Sequence, residues 1–110
     1  MKTITLPSGK SVNVPSTGDD WQLYTCSMAC GNAARALTGA LVKALRVIDE
    51  HAAKGYAPTP RGAEKLMDEV LYPVMNKYAK FGAADTEPRS VAYSSMERAI
   101  EKMTGHRVYL

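Results

Sequence analysis

The residues of this chain that could do chemistry are few. They are Cys26 and Cys30, His51 and His106, Ser94 and Ser95, the carboxylate pairs Asp19-Asp20, Asp49-Glu50 and Asp68-Glu69, and the glycine and lysine of Pro7-Ser8-Gly9-Lys10. Cys26 and Cys30 fall on one face of a helix, where the narrow geometry of a disulfide is hard to reach. Two thiolates could join His51 and His106 around zinc, but the spacing fits no zinc module. The reading is two reduced cysteines serving as small hydrophobes, with no metal bound. A nucleophile needs a base within hydrogen-bond reach, and neither histidine stands in a recognisable arrangement with a serine or cysteine. Adjacent carboxylates diverge around a helix, so each pair reads as solvated. The Pro7-Ser8-Gly9-Lys10 segment lacks the spacing of a phosphate-binding loop and reads as a turn. The expectation is a non-enzymatic protein without a cofactor.

Lys2 to Leu6 and Ser11 to Val14 alternate apolar and polar residues on either side of that turn, which predicts a β-hairpin with one covered face. Pro15 to Gly18 leads into a helix running from Asp19 to Lys54, with Ser16 or Thr17 as its N-cap and the two aspartates in its first turn. Leu37, Leu41, Leu45, Ile48 and Ala52 form its apolar stripe, with Asn32, Arg35, Lys43, Arg46 and Glu50 opposite. Arg46 and Glu50 stand at ion-pair spacing. Gly31 and Gly39 each cost about 1 kcal/mol relative to alanine inside a helix; either the element breaks at Gly31-Asn32 or a neighbouring backbone packs closely. Ala36, Ala40 and Ala44 form a small-residue ridge suited to a close helix contact, within the chain or in a homodimer.

Thr59 and Pro60 make a cap and first turn for a second helix, which ends near Phe81-Gly82 and is bent at Pro73. A third helix follows Pro88 and stops at Gly105. His106 to Leu110 has the composition of a third strand for the hairpin. The fold class is therefore α+β and helix-dominated, an N-terminal β-hairpin plus a C-terminal strand packed on three helices, in one domain of 110 residues.

The net charge of +3 is spread along the chain, and the absence of a concentrated basic face argues against a nucleic-acid partner. There is no run of about 18 apolar residues to span a membrane and no leader-like segment, so a cytoplasmic protein is expected. Trp21 and Tyr24, early in the first helix, are candidate aromatic anchors for a partner. Arg35, Lys43 and Arg46 are the candidate polar contacts.

Residues 2 to 14, Lys2-Thr3-Ile4-Thr5-Leu6-Pro7-Ser8-Gly9-Lys10-Ser11-Val12-Asn13-Val14, resemble the N-terminal hairpin of small tailed-bacteriophage proteins, notably tail assembly chaperones. The resemblance stops there, assigns no functional residue, and implies a phage or mobile-element origin. A small protein of such origin without catalytic motifs is expected to bind stoichiometrically, as an antagonist of a host protein complex. The alternatives are a chaperone acting on a phage partner, or a nucleic-acid or nucleotide binder using Arg35, Lys43 and Arg46.

Overall fold

The computed structural model describes residues 1–23, 30–79 and 86–110. Strands β1 (Lys2–Thr5) and β2 (Ser11–Val14) pair antiparallel, with Lys2 opposite Val14 and Thr5 opposite Ser11. The turn closes through the Leu6 N–H on the Lys10 carbonyl and the Gly9 N–H on the Leu6 carbonyl, both 2.8 Å. Gly9 has φ +92°, a left-handed conformation that glycine takes without Cβ strain. Three helices follow: α1 (Cys30–Ala53), α2 (Pro60–Ala79) and α3 (Thr86–Thr104). Leu37, Leu41, Leu45 and Ile48 of α1, Ala63, Met67, Leu71 and Met75 of α2, and Ala92, Met96, Ala99, Ile100 and Met103 of α3 share one buried cluster. Leu6, Val12 and Val14 close it from the hairpin side.

The first helix starts later than its capping signal implies. Thr17 does cap a turn: its hydroxyl accepts the Asp20 N–H at 3.0 Å, while the Asp20 carboxylate accepts the Ser16 and Thr17 N–H groups at 2.9 and 3.2 Å. That turn ends at once, because Gln22 adopts φ +58°, a left-handed conformation unusual for a residue with a Cβ. Trp21 is drawn instead into the core, fully buried, where its indole Nε1–H donates to the Thr38 hydroxyl at 3.0 Å. Thr38 Oγ lies 2.7 Å from the Pro15 carbonyl and 2.9 Å from that of Ala34. This network fixes the segment after β2 to the middle of α1. Gly31 and Asn32 thus lie in the first turn of α1 and do not break it.

The end of α1 and the start of α2 follow their signals, whereas α3 begins at Thr86, two residues before Pro88, and the expected α2 end near Phe81-Gly82 lies outside the described residues. Gly55, at φ +91°, closes α1 by donating to the Ala52 carbonyl at 3.0 Å, while the Tyr56 N–H reaches the His51 carbonyl at 3.0 Å. The Thr59 hydroxyl accepts the Gly62 N–H at 3.1 Å to cap α2, which continues through the exposed Pro73. No described helix is long and apolar enough to cross a membrane.

The predicted C-terminal strand is not formed. Residues 106–110 are irregular; the Leu110 N–H donates to Glu97 Oε1 at 2.8 Å, and Val108 and Leu110 pack half-buried on the core. Since β2 already packs against α3, the tail buries its apolar residues along that helix without extending the sheet. The alanine ridge is also corrected as a surface for a second copy. Ala40 and Ala44 are buried in the chain's own core, and Ala36 is half-buried.

Asp49 is not solvated as its sequence neighbourhood implied. It is 3% exposed and accepts the Ser8 N–H at 2.9 Å and the Ser8 hydroxyl at 2.6 Å, while Lys10 Nζ donates to the Met103 carbonyl at the end of α3. The hairpin tip is thereby tied to two helices. Removing the acceptor leaves the Ser8 donors without their charged partner, and Asp49→Ala is expected to lower stability by about 2 to 3 kcal/mol. Ser8→Ala should cost less. Urea denaturation of the three proteins, read by tryptophan fluorescence, checks the order.

Candidate functional site

Of the five residues expected to meet a partner, the structure brings two together and buries one. Trp21 belongs to the core and offers no surface, which corrects its reading as an anchor; Tyr24 lies outside the described residues. Arg35, Lys43 and Arg46 are all exposed on α1. Arg35 and Arg46 line a groove of about 450 Å³, together with Lys2 and Ile4 of β1, Ser16, Thr38, Gly39 and Val42. The helix residues 35, 39, 42 and 46 follow the three-and-four spacing that stacks side chains on one face. Lys43 lies outside this lining.

The groove lining contains three basic residues and no carboxylate. Among the described residues Lys2 and Arg46 have no ion-pair or hydrogen-bond partner, and Arg35 donates only to the Asn32 side chain. The anticipated Arg46-Glu50 pair is not formed, in keeping with the weaker of the two helical orientations, the base preceding the acid. Lys65 and Glu69, in the same base-before-acid orientation, stand 3.9 Å apart, at the outer limit of an ion pair. Asp20, held to Ser16 at the end of the groove, is engaged elsewhere: the Ser16 N–H first, then the amino group of Met1 at 2.9 Å, keep its carboxyl well below the usual carboxylate range.

Gly39 forms part of the groove wall. It is exposed, and a Cβ built there meets nothing within 4 Å, so no neighbouring backbone explains it. Gly39→Ala is expected to stabilise the chain by about 1 kcal/mol, the helix-propensity difference unopposed by any clash. A thermal melt that falls or stays unchanged would reveal strain the geometry does not show.

Two other surfaces are self-satisfied by comparison. A cleft of about 300 Å³ between the end of α1 and the start of α2 is lined by Val47, Ile48, Pro58 and Leu66. Tyr56 stands 68% exposed at its rim. The His51 ring meets Tyr56 edge-on at 6.4 Å, and the Lys65-Glu69 pair closes the charge there. Across α2 and α3, the Arg89 guanidinium lies 4.3 Å from the Tyr72 ring and 3.7 Å from Asp68, which also accepts the Tyr93 hydroxyl at 3.3 Å. Tyr72, Arg89 and Tyr93 clamp two helices with their chemistry already spent.

Burial first, and then the Asp68 carboxylate, push the Tyr93 phenol above its ordinary value of 10.0. A raised folded value favours the protonated phenol. The associated stability is complete below about pH 10 and is lost as pH rises through the folded value. Ultraviolet titration should show a tyrosine ionising late, and Tyr93→Phe should remove that late step.

Among the described residues no three His, Cys, Asp or Glu side chains converge on a point that could hold a metal. Cys26 and the Cys30 side chain lie outside the described residues, so the cysteine pair is not placed. Ser95 is buried and accepts from Arg98 at 3.3 Å; His51 and His106 are exposed. Comparison with protein-family models, with curated proteins and with solved structures gives no match.

Sequence reasoning missed Lys2 and Gly39 as members of the site. Lys2 is distant in the chain and joins only because the hairpin folds over α1. Gly39 carried a signal, an unexplained mid-helix glycine four residues after Arg35.

Proposed function

We propose that this protein is a small non-enzymatic binding module that captures an acidic surface of another protein in the groove between β1 and α1. One observation supports this reading above the others. Lys2, Arg35 and Arg46 project around a single concavity with no carboxylate in its lining. Charges held this way steer an oppositely charged partner and suppress a like-charged one. Ile4 and Val42, half-buried in the same lining, add apolar area. In this reading Lys43 contributes to the approach of the partner and the two arginines to the bound state.

The phage or mobile-element origin implied by the hairpin makes an antagonist of a host complex the first assignment for the partner, with a phage assembly protein as the second. Affinity capture from a bacterial lysate, followed by mass spectrometry, separates these. The expected result is one acidic host protein retained by the native chain. Arg35→Glu/Arg46→Glu should retain at least about tenfold less of it, a loss of about 1.4 kcal/mol, with an unchanged circular dichroism spectrum. Equal capture by the charge-reversed chain would show that the groove is not the interface. Captured material that nuclease releases would favour a nucleic-acid partner.

A further inference from the structure

We infer that the groove takes its partner as an extended acidic peptide that adds to β1 as a third strand, with alternate side chains directed down onto α1. This inference rests on the binding function proposed for the same groove. Three observations carry it. First, among the described residues the sheet has two strands, so β1 is paired on one side only. The Leu6 N–H bonds to the Lys10 carbonyl, and bonded and non-bonded pairs alternate from there through Ile4-Val12 to Lys2-Val14. The main-chain N–H and C=O groups of Thr3 and Thr5 therefore face away from β2, available to another strand.

Second, the groove takes Lys2 and Ile4 from β1 and no residue from β2. It therefore lies along the unpaired side of the hairpin, where an added strand would lie. In strand addition the main chain supplies affinity and alternate side chains meet pockets that supply specificity. Lys2, Arg35 and Arg46 select acidic residues at those positions, and Ile4 with Val42 accepts apolar ones. Third, Gly39 leaves the helix bare where the incoming chain would approach, with nothing within 4 Å of a Cβ placed there. Glycine is the residue that permits backbone to come close to a ligand.

The test uses the full chain and three labelled octapeptides with blocked ends: alternating valine and glutamate, alternating valine and lysine, and the glutamate peptide with alternate backbone nitrogens methylated. Fluorescence anisotropy should show saturable binding of the glutamate peptide and none of the lysine peptide. Methylation, which removes strand hydrogen bonds while keeping charge, should weaken binding by about tenfold or more. Hydrogen exchange followed by NMR should show the Thr3 and Thr5 amides protected on addition of the glutamate peptide, with Ile4 already protected before it. Gly39→Leu should abolish binding while its circular dichroism spectrum stays that of the native chain.

Equal affinity for the methylated peptide, or a bound state that leaves Thr3 and Thr5 exchanging freely, would overturn strand addition. The charge-selective groove would survive that result. Failure of the glutamate peptide to bind at millimolar concentration, alongside arginine-dependent capture of a lysate protein, would likewise remove the strand mode alone. A partner held equally well by Arg35→Glu/Arg46→Glu would remove both readings together.

Discussion

The arrangement depends on one buried carboxylate. A two-stranded hairpin has little stability of its own in water, and this one keeps its place because Asp49 accepts two hydrogen bonds from Ser8 at its tip. Burying an ionised carboxylate costs several kcal/mol unless strong donors replace its water. An N–H and a hydroxyl from the same residue do so here, with Lys10 lining the same small cavity. Because the tip is held over the end of α1, β1 is carried alongside the middle of that helix. The distance along α1 from Asp49 back to Arg35 is about 21 Å at 1.5 Å per residue, so the tether at one end sets where Lys2 arrives near the other.

The second anchor acts at the opposite end of the hairpin. Trp21, Thr38 and the Pro15 carbonyl form a buried polar contact that fastens the chain leaving β2 to α1. The hairpin is thus held at its tip and at its exit, with the groove between. The same contact explains the arrested turn at Thr17 to Gln22. Local capping favours a helix there, but burying an indole with its N–H satisfied is worth more than continuing an exposed turn. The left-handed Gln22 is the backbone conformation that allows it.

The three helices were legible because their apolar positions repeat with helical spacing and their caps carry mechanism: Thr59 before Pro60, Gly55 and Gly105 after their helices. Asp49 was also within reach. It extends the Leu41-Leu45 row by one turn, and a carboxylate on an apolar row implies a buried partner. Adjacency to Glu50 drew attention to the pair when the row was the stronger signal. The start of α1 and the C-terminal tail were not legible, because both are decided by tertiary contacts. Trp21 reaches Thr38 across the fold, and Glu97 takes the main-chain N–H of Leu110. For the site, the spacing of Arg35 and Arg46 was readable from one helix, whereas the contribution of Lys2 required the hairpin to be placed.

The groove joins two features that work against a chain folding for stability alone. A strand with an unpaired edge invites association with other chains, and proteins commonly blunt such edges with proline, a bulge or a covering element. Residues 2–5 contain no proline and pair in regular register with β2, and the devices β1 carries are its four-residue length and the charge of Lys2. Beside this edge, Gly39 weakens the middle of α1 although alanine fits there without contact. Neither feature is compensated within the described residues by a bond or a packing contact. An acidic strand laid between them would pair the edge and use the space above the glycine. It would also neutralise Lys2, Arg35 and Arg46, so a single occupant meets all three local anomalies. A basic strand would meet the first two and intensify the third, which is the physical basis for assigning acidic character to the occupant.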